Sequence, residues 1–122
     1  MILVDTSVWI DHLRKGSPTL AKALEENRVL MHPFILGELA CGNLRNREML
    51  LGLLSELPTA PRATDPEALT FTKEHALMGR GLGYPDLHLL ASVALADGAR
   101  LWTTDKALHA VAVELGVAHA VR

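Results

Sequence analysis

Two short apolar runs, each stopped by an aspartate, constrain this chain more than anything else in it. Met1 to Val4 ends at Asp5, and Leu101-Trp102-Thr103-Thr104 ends at Asp105. The first reads as a buried strand and Arg100 to Thr104 as another, and between them the apolar spacing keeps switching to helical. Helices are expected over Thr6 to Arg14, Thr19 to Asn27, Phe34 to Cys41 and Glu48 to Glu56. A further strand is expected over Arg28 to His32, closed by Pro33, with an extended crossing segment over Leu57 to Pro61 beside the sheet.

Asp65-Pro66-Glu67 supplies an N-cap, a proline at the first position and an acid behind it, so a helix should run from there to about Met78. Glycines at 79, 81 and 83 break the chain, and Leu87 to Ala96 forms another helix, stopped by Asp97-Gly98. Asp105 caps a helix through Glu114, and Gly116 to Val121 offers a final strand. Strands alternating with helices predict a three-layer α/β/α sandwich around a central parallel sheet.

The chain has 122 residues, 49% of them hydrophobic and 21% charged, which suits one domain over residues 1–122. Aromatic residues make up only 4%, so the core must be aliphatic. Cys41 is the lone cysteine, which excludes an internal disulfide and a thiolate metal cluster and fits a reducing cytoplasm. The opening residues lack the pattern of a signal peptide, and no apolar run approaches the ~20 residues of a membrane helix, so a cytoplasmic protein is expected. The net charge of −2 speaks against a general nucleic-acid coating protein, which is usually basic. Any contact with RNA must be local or helped by a cation.

In open α/β sheets, sites form beyond the carboxyl ends of the strands. Asp5 and Asp105 each follow a strand directly, so neighbouring strands would bring them to one edge. Asp86 opens a buried-looking helix, and Glu38 sits among apolar residues on another. Two like charges about 4 Å apart repel by ~4 kcal/mol at an effective dielectric of about 20. Protons or a divalent cation must offset that. An all-oxygen set, with no His pair or Cys cluster at zinc spacing, suits Mg²⁺ or Mn²⁺, and phosphodiester hydrolysis is the matching chemistry. Taken singly, Asp5, Asp86 and Asp105 also have the ordinary reading of helix caps; Glu38 does not.

Four segments carry a resemblance. Val4-Asp5-Thr6-Ser7-Val8-Trp9-Ile10, Gly37-Glu38-Leu39-Ala40-Cys41-Gly42, Gly83-Tyr84-Pro85-Asp86-Leu87-His88-Leu89-Leu90-Ala91-Ser92 and Leu101-Trp102-Thr103-Thr104-Asp105-Lys106 resemble, in order, segments of the PIN-domain nucleases. Within them the chain is most similar to the VapC-type toxins of prokaryotic toxin–antitoxin pairs. The resemblance implies a metal-dependent endoribonuclease with Asp5, Glu38, Asp86 and Asp105 as its acids, holding one or two Mg²⁺ or Mn²⁺ ions. It implies in-line attack by metal-bound water, a homodimer, and a VapB-type antitoxin that blocks the pocket. On that basis Asp5 and Asp86 are expected to touch the metal most directly, Asp105 to complete the shell and Glu38 to orient the attacking water. Thr6 and Thr104 are expected to hydrogen-bond the carboxylates. Pro85 before the third acid is the least usual feature.

Other features have plainer readings. The glycine-rich stretch over 79–83 follows a helix, unlike a dinucleotide fingerprint. Trp9, Trp102 and His88 are expected to be core residues, His109 a solvated one. Arg14, Lys15, Arg45, Arg47, Arg80 and Lys106 are candidates to grip phosphates, but a solvated face is the ordinary reading of scattered basic residues and is expected for most of them. Two other functions remain open from the residues: a Mg²⁺-dependent phosphatase using Asp5 as nucleophile, weakened by Ser7 where such enzymes carry a second acid, and a PIN-like module that binds RNA or protein without cutting.

Overall fold

A computed structural model describes residues 1–120. Three strands, β1 (Ile2–Val4), β2 (Val29–Leu30) and β3 (Arg100–Trp102), form a parallel sheet in the order β2-β1-β3. Ile2 pairs with Val29 on one side and with Arg100 on the other, and Val4 with Trp102. Each edge gains one parallel bridge: Met31 with Thr59 beyond β2, and Leu101 with Ala118 beyond β3. The expected crossing segment therefore lies beside the sheet. The final strand expected from Gly116 shrinks to that single bridge, and the Val121 end of it lies outside the described residues.

Consecutive residues of a strand point to opposite faces, yet Ile2, Leu3 and Val4 are all buried. Both faces of the central strand are therefore covered, as a parallel sheet requires. The cover comes from α1 (Thr6–Lys15), α2 (Pro18–Glu25), α3 (Pro33–Ala40), α4 (Arg47–Ser55), α5 (Asp65–Glu74), α6 (Tyr84–Leu95) and α7 (Lys106–Glu114). Helix α6 packs on β3 and α5, and α1 packs on α3. Leu3, Leu20, Ile35, Leu39, Leu89, Leu90, Leu101 and Leu108 fill the aliphatic core around a buried Trp9, and Trp102 is buried as well.

Several boundaries depart from expectation for identifiable reasons. The cap of α5 is Thr64 rather than Asp65: its hydroxyl accepts from Glu67 N while the Glu67 carboxylate accepts from Thr64 N, a reciprocal capping box. The helix stops at Glu74 rather than near Met78, because Ala76 adopts a left-handed φ of 52°. Helix α6 starts at Tyr84, three residues before Leu87. Pro85 permits this, since an N–H in the first helical turn has no intrahelical acceptor to lose. Asp86 is consequently not the N-cap but the third residue of the helix, and Gly83 is the cap. Strand β3 ends at Trp102, two residues short of Thr104.

Candidate active site

The carboxyl ends of β1 and β3 lie side by side, since Asp5 N donates to Trp102 O at 2.9 Å. Asp5 leaves β1 buried and caps α1, its Oδ1 accepting from Thr6 N at 2.8 Å. Its Oδ2 accepts from the Thr103 hydroxyl at 2.7 Å in a fully buried bond. Thr103 in turn accepts from Asp105 N at 3.1 Å, so one hydroxyl ties the first and last acids together. Asp105 caps α7 as expected, with Oδ1 taking Leu108 N at 2.9 Å.

Asp86 enters from α6. Its Oδ2 accepts from Gly83 N at 3.0 Å, which fixes the rotamer from within the same turn. Burial pushes its carboxyl above the usual aspartate value, and the charges of Asp5 and Asp105 push it further, against the Gly83 bond. Three acids from distant parts of the sequence thus act on one another through space. Glu38, exposed on α3, joins them through Thr6, whose hydroxyl donates to Glu38 Oε1 at 3.0 Å.

The two threonines divide differently from expectation. Thr6 bonds a carboxylate, but Thr104 does not take that part: it is exposed, and its backbone N donates to Ser7 Oγ at 3.4 Å. Thr103 holds Asp5 instead, because β3 ends two residues early and its hydroxyl turns into the site. The register would have shown it, since continuing Val4↔Trp102 by one step sets Asp5 beside Thr103. Among the basic candidates, Arg80 is bound by both guanidinium nitrogens to Glu114, at 2.8 and 3.0 Å, and Arg47 reaches Gly42 O at 3.3 Å. Arg14 and Arg45 line a cavity of about 710 Å³ with Ile10, Leu13, Leu44 and Leu50. Thr6, Ile10, Leu13 and Arg14 share one face of α1, so this groove leads away from the Thr6–Glu38 bond.

Among the described residues, no three His, Cys, Asp or Glu side chains stand together closely enough to grip an ion unaided. The donor set nevertheless fits a small hard cation. Asp86 Oδ1 and Asp105 Oδ2 accept no bond from a described residue, whereas their other oxygens are held by amides. Mg²⁺ is commonly bound through one or two carboxylates and keeps several of its waters. Burial chiefly, and then the repulsion of Asp5 and Asp105, raise Asp86, and such a charge would offset the repulsion.

A parallel sheet covered on both faces, with acids gathered at the carboxyl ends of adjacent strands, defines a class, and the chain belongs to the PIN-domain family, whose model matches residues 2–114. Its relatives include Ribonuclease VapC32 from two strains of Mycobacterium tuberculosis. Each is 48% identical over 118 residues, covering 97% of this chain and 95% of the relative.

Proposed function

We propose that this chain is an endoribonuclease toxin that hydrolyses RNA phosphodiesters with Mg²⁺ or Mn²⁺, and that a VapB-type antitoxin restrains it. The observation that carries the reading is the convergence of Asp5, Asp86 and Asp105: burial first, and then the charges of the other two acids, raise the Asp86 carboxyl above its ordinary value. A bound divalent cation would supply the positive charge that draws the phosphate in, activates water and steadies the departing oxygen.

Asp5 and Asp86 would hold that ion most directly, with Asp105 completing the shell. Glu38 keeps one oxygen on Thr6, which leaves the other to orient water or take its proton. Arg14 and Arg45 offer two positive charges to phosphates along the groove. Ser7 stands where a phosphatase of the competing kind needs a second acid, and it accepts from Thr104 N. The resemblance to VapC toxins further supports a homodimer, which sedimentation of the full chain tests.

The deciding experiment incubates purified full-length protein, freed of antitoxin, with total RNA in Mg²⁺, in Mn²⁺ and in chelator, and maps new ends. Cleavage at defined positions that vanishes in chelator and in D5N and D86N is the expected result. Hydrolysis of p-nitrophenyl phosphate without RNA cleavage would replace the reading with a phosphatase. Turnover of neither, by folded protein that binds the cation, would replace it with a binding module.

A further inference from the structure

Asp86 sits in the first turn of α6, with Tyr84 two residues before it and His88 two residues after. Positions 84 and 88 stack on one face of a helix, and 86 turns to the opposite side. Both flanking side chains converge on a single oxygen at the start of α5. Asp65 Oδ1 accepts the Tyr84 hydroxyl at 2.7 Å and lies 3.0 Å from His88 Nε2. A carboxylate only accepts, so the imidazole carries its proton on Nε2. The Tyr84 and His88 rings meet edge to face, with centroids 4.6 Å apart at 88°.

The His88 side chain is 2% exposed, and its other nitrogen, Nδ1, has no partner among the described residues. Asp65 is therefore the one described hydrogen-bond partner of a buried imidazole. The Asp65 side chain is itself 74% exposed, so without it Nε2 would have to turn to water while Nδ1 stays buried and unpaired. A ring that shifts to reach water disturbs the turn that carries Asp86.

We infer that Asp65 is a positioning residue for Asp86: it clamps the far face of the first turn of α6 and so aims the acid at the site. The inference rests on Asp86 serving the reaction as proposed above. The Gly83–Asp86 bond sets the acid's rotamer from inside the turn, and the Asp65 clamp sets the turn itself from α5. Asp65 reaches the site only through Tyr84 and His88, so it has no part in the chemistry.

The test reads cation binding apart from catalysis, as the Mn²⁺ concentration that gives half the thermal stabilisation of the full chain. D65A should raise that midpoint by about tenfold or more, the usual consequence of losing a partner that orients a ligand, and slow RNA cleavage in parallel. D65N keeps an acceptor oxygen and should restore both. Y84F removes one of the two bonds and should shift both in the same direction by less, which keeps the inference testable if D65A folds poorly. A23G, which weakens α2 at a buried position on a helix that carries no part of the clamp, serves as the stability-matched control. An unchanged midpoint in D65A and Y84F, or an equal shift in A23G, overturns the inference. Full cleavage by D86N would instead remove the reading beneath it and this inference with it.

Discussion

Thr103 shows how one hydroxyl can hold a site together. It donates to the buried Asp5 carboxylate and accepts from the Asp105 amide, so T103V, nearly the same shape, strips both bonds at once. A loss of about 1–3 kcal/mol in urea unfolding is expected, with reduced cleavage. Asp86 has the opposite character. Its carboxyl is raised above the ordinary 3.8, so the folded chain keeps this proton to a higher pH than the unfolded chain does. Its contribution to stability is therefore best at low pH and falls as pH climbs through the window above 3.8. In chelator D86N should show a shallower fall and a higher Tm at neutral pH than the parent, while losing stabilisation by the cation; equal pH slopes would refute this. Asp5 and Asp105 were legible in the sequence because each ends an apolar run. Thr103 was not, because a threonine pair at a strand end leaves open which hydroxyl turns inward.

Among the elements, α3 begins under an unusual cap. His32 is fully buried and its Nδ1 accepts from Phe34 N, so the ring must stay neutral to serve. Burial chiefly, then the nearby His88 and Arg62, push its pKa down to about 4. The unfolded chain takes up that proton first as the pH falls below 6.5, so stability is full above 6.5 and drains away toward about 4. The whole effect is at most about 3 kcal/mol. H32N caps without titrating and should flatten the acid limb of stability measured by urea unfolding. The loop before α6 gives a second contrast. Gly81 has φ +80°, whereas Gly83 is ordinary in φ and a Cβ there meets nothing nearer than 3.6 Å. G81A should therefore cost about 1 kcal/mol and G83A almost nothing, by thermal unfolding. Helix existence was readable from apolar spacing nearly throughout. The starts of α5 and α6 were not, because an acid beside a proline looks like a cap whether it stands at the boundary or three residues inside it, as Asp86 does.

For the molecule as a whole, a net charge of −2 sets a condition on any RNA contact. Protein and RNA repel at long range, so the cation and the two groove arginines must supply the attraction. Filter binding of D5N should show weak RNA retention both in chelator and in Mg²⁺, and the parent should be retained better in Mg²⁺ than in chelator; equal retention of the parent in both would refute the idea. The α/β order, and the convergence of both strand-ending acids, could be read from alternation alone. The missing last strand could not, since a run of Gly, Val and Ala suits a strand and a single bridge equally. One feature of the sheet reaches beyond the folded state. The central strand holds residues 2–4, yet its neighbour β3 holds 100–102, and the Thr103–Asp5 bond joins positions 98 apart. As the ribosome releases the chain, Asp5, Glu38 and Asp86 all emerge before the strand that gathers them. A copy whose synthesis halts short of β3 would carry three of the four acids and still lack the assembled cluster.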